Sequence, residues 1–200
     1  MEFDAVILAG GRSSRLGGVP KSGLVYDGAT LLERALAAAH GARSLVVVGP
    51  RPERLPPGAL TVREDPPFAG PAAAIAAGLD ELGRGEKPPA PWVLVLACDM
   101  PHAATAVGPL LAVLGEHPGA EGVLGLSPDG RKQPLLAVYA TGALRGAIAA
   151  QTAEGTLTNA PVFRLLASLD LLTAAVPEHA ADDVDTWDDA AALGVHGGPS

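Results

Sequence analysis

Cysteine is scarce in this chain of 200 residues, and its scarcity excludes two kinds of site. The one cysteine, Cys98, excludes an intramolecular disulfide and a zinc site built from cysteines, so we expect a small buried residue at a strand end. The five histidines show neither clustering nor the HExxH spacing, and they predict no zinc site. No serine lies in a nucleophile elbow, which disfavours a hydrolase.

Cationic residues are also in deficit, because 14 Lys and Arg stand against 22 Asp and Glu, a net charge of −8. Affinity for a nucleic-acid backbone depends largely on clustered Lys and Arg, so this balance argues against a nucleic-acid partner. No apolar run approaches the roughly 20 residues of a membrane span, and Met1 to Asp4 lack the basic region of a signal peptide. We therefore expect a cytoplasmic protein without a membrane partner.

Apolar residues, in contrast, make up 48% of the chain, enough for one domain with a substantial core. Runs of strand length lie at 5–9, 44–49, 60–63, 92–97, 120–126 and 135–140. Longer stretches rich in Ala and Leu separate most of them, and Ser127 to Gly130 form a turn between the last two. This pattern predicts a single Rossmann-like, three-layer α/β domain whose mostly parallel sheet includes an antiparallel hairpin excursion.

Capping signals place the helices between these strands. Thr30 to Glu33 predict a capping box that opens a helix ending near Gly41, and Pro71 suits the first turn of a helix over 70–82. The proline-rich stretch 83–91 predicts a surface loop. Further helices are predicted over 143–153, 162–168 and 187–193, so we expect one domain over 1–193 and a loose tail over 194–200.

A glycine-rich, cationic loop, Leu8 to Lys21, follows the first apolar run. Its glycines allow positive φ and let backbone N–H groups approach an anion, while Arg12, Arg15 and Lys21 add three cations. It is not a Walker loop, because Lys21 follows Pro20, and it lacks the GxGxxG spacing. A polyphosphate is the predicted ligand; the alternative is that these cations are solvated surface side chains.

Acidic residues follow the third and fourth predicted strands, at Asp65 and Asp99. Ligands of open α/β sheets bind at the carboxyl ends of strands, where Asp99 would repel a triphosphate unless a cation such as Mg²⁺ lay between them. The alternative role for Asp99 is a helix N-cap or a turn residue ahead of Pro101 and the next helix. Asp183 and Asp185 are a weaker second metal candidate, and Asp185 or Thr186 alternatively caps the helix over 187–193; both roles can coexist.

The loop motif LAGGxSxRxGxxK resembles the signature of nucleotidyltransferases that activate sugars, isoprenoid precursors and molybdopterin. The doubled glycine of this motif resembles the one found at the same position in the molybdenum cofactor guanylyltransferase family. Three further segments resemble that family in the same order: Glu64 to Pro66 followed by Ala69 to Pro71, then Ala97 to Pro101, then Arg131 to Leu135. The resemblance therefore spans most of the chain.

This resemblance implies Mg²⁺-dependent transfer of GMP from GTP to the phosphate of molybdopterin, which forms the guanine dinucleotide cofactor and pyrophosphate. It also implies transient contact with proteins that deliver or receive the cofactor. The implied site residues are Leu8, Ala9, Gly10, Gly11, Arg12, Lys21, Asp65 and Asp99 for the nucleotide, Arg15, Lys21 and Asp99 for catalysis, Arg131, Lys132 and Gln133 for the acceptor, and Asp99 and Asp185 for the metal.

Other readings of the same residues stay open. The family often has an asparagine after the second strand, where this chain has Val48-Gly49-Pro50, so the alternatives include CTP as donor. Another phosphorylated acceptor, such as a sugar phosphate or phospholactate, is also an alternative. A catalytically silent nucleotide-binding homologue is a further one, and Arg131 and Lys132 alternatively belong to a solvated turn.

Overall fold

Nine strands form two sheets in this computed structural model, which describes residues 1–85 and 87–197. The strands are β1 (Phe3–Leu8), β2 (Val25–Tyr26), β3 (Ala29–Thr30), β4 (Leu45–Val48), β5 (Leu60–Val62), β6 (Trp92–Ala97), β7 (Gly122–Leu126), β8 (Lys132–Ala140) and β9 (Leu171–Ala175). The order of the seven-stranded sheet is β5-β4-β1-β6-β8-β7-β9, and β2 pairs with β3 in a separate hairpin.

Strand direction decides which residues meet at the edge of the main sheet. β1 pairs in parallel with β4 and β6, β4 with β5, and β7 with β9, whereas β8 is antiparallel to both of its neighbours. The predicted mostly parallel sheet with an antiparallel excursion is therefore confirmed. Because β8 runs against β6, the first residues of β8 lie beside the last residues of β6, with Leu96 opposite Leu136.

The described residues form six α-helices, and five of them cover the two faces of the sheet. The six helices are α1 (Leu31–Ala38), α2 (Pro71–Gly83), α3 (Ala104–Glu116), α4 (Thr141–Ala153), α5 (Val162–Leu165) and α6 (Trp187–Leu193). Apolar residues of α1 and α3 pack on one face, and those of α2, α4 and α5 pack on the other. The three layers follow from strands that are buried on both faces, as in β1, where all six residues are buried.

A third, smaller apolar cluster lies apart from the sheet. Its buried members are Leu16, Leu24, Leu31, Val184, Ala190 and Val195. Leu16 and Leu24 flank the end of the glycine-rich loop. Val184 lies between two aspartates in residues 182–185, which we call the acidic segment. We call this group the loop cluster; it packs the loop against the acidic segment.

The structure corrects several predicted boundaries and adds two features. The strand β9 and the β2–β3 hairpin had no prediction, and the helix predicted over 162–168 ends at Leu165. The tail predicted to be loose from residue 194 is packed at its start, because Val195 is 3% exposed and the backbone of His196 exchanges hydrogen bonds with Val25. Residues 198–200 of that tail and Glu86 of the predicted 83–91 loop lie outside the described residues.

No helix in the described part of the chain combines the length and apolarity that crossing a membrane requires.

Candidate functional site

Two clefts lie side by side at the carboxyl edge of the sheet, and they share Ala97, Asp99 and Leu135. The larger, of about 510 Å³, is bounded by the glycine-rich loop and by the start of α2. The smaller, of about 270 Å³, is bounded by the beginning of β8 and by the acidic segment. Asp99 therefore stands at the junction of two spaces that are each open to a ligand.

The glycine-rich loop is held by its backbone at its first residues. The N–H of Ala9 donates to the carbonyl of Val48 at 2.8 Å, and the N–H of Cys98 donates to the carbonyl of Leu8 at 3.0 Å. Ser13 and Gly17 take left-handed φ values of 44° and 66° around a short 3₁₀ turn at Ser14–Leu16. The carbonyl of Ser13 accepts hydrogen bonds from the N–H groups of Leu16 and Gly18, which closes this turn.

Gly49, directly after β4, lies too close to the glycine-rich loop for any larger residue. Its φ is +144°, and a Cβ at that position would lie 2.8 Å from the backbone nitrogen of Gly10 and 2.9 Å from the carbonyl carbon of Ala9. Backbone atoms cannot yield as a flexible side chain does, so glycine is required here. The position that departs from the family pattern thus supports the base of the loop.

Lys21 connects the loop to two carboxylates. Its Nζ lies 2.8 Å from Oδ2 of Asp99 and also pairs with Asp185, while Nη1 of Arg15 lies 3.1 Å from Oδ2 of Asp185. Burial lowers the pKa of Lys21, but the two carboxylates outweigh this effect and the net pKa is raised. The ammonium group therefore carries its charge at neutral pH.

Three carboxylates converge on the same point. Carboxylate oxygens of Asp99, Asp183 and Asp185 lie within 4.8 Å of one another. The N–H of Val184 donates to the carbonyl of Asp99 at 3.1 Å, which fixes the acidic segment against the end of β6. Burial, together with the charges of Asp99 and Asp185, raises the pKa of Asp183. This oxygen-only donor set, with its excess negative charge, fits a hard divalent cation.

The smaller cleft is built by the β7–β8 hairpin. Nε of Arg131 lies 2.6 Å from Oδ2 of Asp129 in the same turn, and Nε2 of Gln133 donates to Oγ of Ser127 at 2.8 Å. Arg131, Gln133 and Asp183 line this cleft, whereas Lys132 is exposed and is not among its lining residues. Two of the three residues predicted for the acceptor therefore face one space with Asp99.

The structure brings most of the predicted nucleotide and metal residues together. The larger cleft is lined by Leu8, Gly10, Gly11, Arg12, Arg15, Lys21, Asp99 and Asp185, all of which the sequence predicted as site residues. Ala9 and Asp65 are not among its lining residues, and Asp65 is exposed. The role of Asp65 toward the nucleotide stays a prediction, as does the role of Lys132 toward the acceptor.

Several cleft residues had no role in the predictions. Glu64, only 8% exposed, lines the larger cleft next to the expected Asp65, and Phe68 lines it as well. Asp183, by contrast, was named with Asp185 as a second metal candidate, because their spacing of two residues places both side chains on one side of an extended segment. In the structure both of these carboxylates lie near that of Asp99.

The alternatives for the acidic residues are resolved by the helix ends. α3 begins at Ala104 with Ala103 as its N-cap, so Asp99 does not cap it and lies instead in the turn after β6. Thr186 caps α6 in a capping box with Asp189, while Asp185 pairs with Lys21 and Arg15. Thr186 therefore caps the helix, and the adjacent Asp185 pairs with the cationic side chains. Cys98 is buried as predicted, and burial raises the pKa of its thiol, which keeps it protonated.

Comparison with known proteins finds similarity to molybdenum cofactor guanylyltransferases. A probable molybdenum cofactor guanylyltransferase from Clostridium perfringens is 31% identical over 136 residues, which are 68% of this chain and 64% of that protein. A molybdenum cofactor guanylyltransferase from Mesorhizobium japonicum is 33% identical over 145 residues, or 70% of this chain and 68% of that protein. The chain thus spans about two thirds of the length of these curated relatives.

A solved structure shows the same fold over nearly the whole chain. Molybdopterin-guanine dinucleotide biosynthesis protein A from Archaeoglobus fulgidus superposes with a TM-score of 0.69 and 22% identity, and the match covers 96% of each chain. Residues 5–170 match the family described as MobA-like NTP transferase domain. With the loop, the acidic cluster and the sheet order in place, this match assigns the chain to the MobA-like NTP transferase domain family.

Proposed function

We propose that the protein is a Mg²⁺-dependent nucleotidyltransferase that moves GMP from GTP to the terminal phosphate of molybdopterin and releases pyrophosphate. The observation that carries this proposal is the position of the Asp99 carboxylate, paired with Lys21, at the junction of two adjoining clefts. The names of the relatives in Clostridium and Mesorhizobium support the choice of substrates.

The larger cleft is the better site for the nucleotide. Its volume of about 510 Å³ lies within the roughly 300–1,000 Å³ of small-molecule sites. Gly10 and Gly11 leave the backbone accessible, and three cationic side chains of the loop line the same cleft. A triphosphate needs this combination of backbone donors and cations, because its charge is both large and spread over many oxygens.

The smaller cleft suits the phosphate of the acceptor. Arg131 and Gln133 supply side-chain donors there, and Asp99 separates this space from the larger cleft. Two substrates bound on either side of Asp99 would present the acceptor phosphate to the α-phosphate of the nucleotide. Such positioning converts an encounter between two molecules into an effectively unimolecular step.

The bond changes of the transfer then follow. An oxygen of the acceptor phosphate forms a bond to the α-phosphorus of GTP, and the bond from that phosphorus to the bridging oxygen of the β-phosphate breaks. Pyrophosphate leaves with the bonding electron pair, and no covalent enzyme intermediate is required. Arg15 and Lys21 offset the charge that accumulates on the departing phosphates.

The metal expected at this site is Mg²⁺, which Asp99 and Asp185 would hold, and the proximity of the Asp183 carboxylate supports it as a further ligand. When bound, Mg²⁺ supplies Lewis-acid stabilisation of phosphate charge. In this structure Lys21 pairs with Asp99 and Asp185. We therefore infer that Lys21 exchanges the carboxylates for phosphate oxygens when the nucleotide enters.

Nucleotide selectivity tests the proposal directly. Titration calorimetry with Mg²⁺ and each of GTP, CTP, ATP and UTP should show preferential binding of GTP. Lys21→Ala should weaken that binding about 10- to 100-fold, the range for a lost charge-assisted contact. Lys87→Ala is the matched control, because Lys87 is an exposed lysine outside both clefts. With molybdopterin added, the wild-type protein should release pyrophosphate from GTP.

Each other outcome identifies a different function. Preferential binding of CTP would make a cytidylyltransferase the better description. Pyrophosphate release only with a sugar phosphate or phospholactate would replace the acceptor. Nucleotide binding without pyrophosphate release from any of these acceptors would indicate a catalytically silent homologue. A cytoplasmic location and transient contacts with cofactor-delivering or cofactor-receiving proteins stay predictions.

A further inference from the structure

Phe68 is an exposed aromatic residue fixed in the wall of the larger cleft. Phe68 is 40% exposed. Its φ of 64° lies in the left-handed region, which residues with bulky side chains rarely adopt. The backbone is held from both sides. Oε1 of the buried Glu64 accepts from the N–H of Phe68 at 2.9 Å, and the carbonyl of Ala69 accepts from the N–H of Asn159 at 2.6 Å.

Hydrophobic burial does not account for this arrangement. A phenylalanine that served the core would be covered, as Phe3 is at 5% exposure. Phe68 instead keeps its ring at the surface of a cleft, in a backbone conformation that costs free energy and persists only where its surroundings enforce it. An exposed ring held in a strained conformation at a functional cleft suggests a role for the ring itself.

Two guanidinium groups lie over that ring. Cζ of Arg12 is 5.4 Å from the ring centroid and Cζ of Arg63 is 5.2 Å from it, both within the range of cation–π attraction. Among the described residues neither arginine makes an ion pair with a carboxylate, in contrast to Arg15 with Asp185. The ring attracts the two cations and leaves their N–H donors available for another partner.

We infer that Phe68 is a positioning residue that holds Arg12 and Arg63 at the rim of the larger cleft as a receptor for the phosphate chain of the nucleotide. This inference rests on the proposed function and names residues that act in substrate binding. Arg12 lines the cleft, whereas Arg63 contacts the same ring from the chain between β5 and α2. Without the ring, two like charges would separate and solvate independently.

Titration calorimetry with Mg²⁺ and GTP separates the ring from the arginines. Phe68→Leu keeps apolar volume but removes the aromatic face, and it should weaken GTP binding about five- to thirtyfold, the value of two exposed cation–π contacts. Phe68→Trp retains the face and should bind GTP as the wild-type protein does. Arg12→Ala and Arg63→Ala should each weaken binding, and the double variant should weaken it most.

A double-mutant cycle tests whether Phe68 acts through the arginines. In the background that lacks both Arg12 and Arg63, Phe68→Leu should cause no further loss. Saturating GTP should restore the maximal rate of each variant, so that the effect falls on KM and not on kcat. Thermal unfolding of every variant verifies folding, and the two arginine variants test the inference if Phe68→Leu does not fold.

The possible results distinguish the inference from the proposed function. Unchanged GTP affinity in Phe68→Leu, or an equal loss with and without the two arginines, would overturn the inference and leave the proposed function intact. Loss of affinity in Phe68→Trp equal to that in Phe68→Leu would also overturn it, because the aromatic face would then be irrelevant. If the wild-type protein binds no nucleoside triphosphate, both are overturned.

Discussion

The two clefts beside Asp99 are prepared for their ligands in different ways. The larger one measures about 510 Å³ and is lined by backbone and by three cations, of which Arg12 has no carboxylate partner in the described structure. In the smaller one, of about 270 Å³, the donors Arg131 and Gln133 already contact Asp129 and Ser127 of their own hairpin. The larger cleft therefore offers stronger attraction for an anion.

Because the two clefts are built from different parts of the chain, we expect that substitutions can disturb one cleft without the other. Glycine backbone geometry supports the larger cleft, whereas a hairpin and its local side-chain contacts support the smaller one. Asp99 and the acidic segment belong to both. Variants should accordingly fall into those that affect both clefts, those that affect nucleotide binding, and those that affect only the acceptor.

Asp99→Asn should have the largest effect, since it removes the charge that both clefts share. The turnover rate should fall about 10²- to 10³-fold, which is typical for loss of one electrostatic group in an active site. Pyrophosphate release from GTP and molybdopterin measures this. Asp80→Asn, an exposed position on α2, is the matched control and should retain the wild-type rate. A near-normal rate for Asp99→Asn would contradict the assignment of Asp99.

Gly49→Ala should disturb the backbone at the base of the glycine-rich loop, which supports the larger cleft. The added Cβ would meet the backbone of Ala9 and Gly10, so we expect a loss of about 2–4 kcal/mol in the free energy of unfolding. Urea denaturation measures the loss. Gly130→Ala is the control in the hairpin of the smaller cleft, where φ is +83° but no atom lies within 4 Å of the new Cβ. Equal losses in both variants would show that the close approach at Gly49 is unimportant.

Lys21→Met should separate metal binding from nucleotide binding. Lys21 pairs with Asp99 and Asp185, so its removal should strengthen binding of Mn²⁺ in the absence of nucleotide about tenfold, or about 1.4 kcal/mol. Electron paramagnetic resonance of free Mn²⁺ measures the affinity. Lys132→Met, an exposed lysine outside both clefts, should leave it unchanged. If Lys21→Met also leaves it unchanged, Lys21 does not compete with the metal.

Arg131→Ala should affect only the smaller cleft. Because Arg131 is exposed and already paired with Asp129, we expect a modest increase in KM for molybdopterin, about three- to tenfold. The affinity for GTP, measured by calorimetry, should not change. Lys132→Ala offers the comparison with an adjacent cation that does not line the cleft. A parallel loss of GTP affinity in Arg131→Ala would mean that the two clefts are not independent.

The smallest effect is expected in the segment between the clefts. Thr186→Ala removes the N-cap of α6 and should lower the free energy of unfolding by about 1 kcal/mol. Hydrogen bonds from Thr186 hold the pKa of Asp189 below its usual 3.8, so this carboxylate stabilises the folded protein above pH 3.8. That stabilisation is lost as the pH falls through the folded-state pKa.

The stability difference between wild-type protein and Asp189→Asn should therefore shrink below pH 3.8, as chemical denaturation at several pH values would show. A difference that stays constant across this range would mean that the charge of Asp189 does not contribute to the cap.

The glycine-rich loop and the alternation of strands and helices were predictable from local patterns. The loop carries its chemistry in consecutive residues, and strands such as β6 are continuous apolar runs with clear boundaries. Asp99 was predictable for the same reason, because it follows β6 directly in the chain. These features depend on neighbours in sequence, so periodicity and turn residues suffice to locate them.

Convergence of the acidic segment on Asp99 was decided by tertiary structure. It depends on β9, a short strand without a prediction, whose parallel pairing with β7 delivers the following chain to the same sheet edge. The loop cluster then fixes Val184 beside Leu16, and with it the aspartates on either side. Pairing between distant strands leaves only a weak mark in local sequence, so the prediction of Asp185 rested on spacing and resemblance.

Local arrangements of residue types were enough to predict a cationic glycine loop after the first strand and an aspartate at the end of the fourth predicted strand. The proximity of Asp183 to Asp99 and Asp185, the support of the loop by Gly49, and the contact of Phe68 with two arginines became visible only in the folded chain. These contacts join segments distant in sequence, and packing of the complete sheet is what brings them within contact distance.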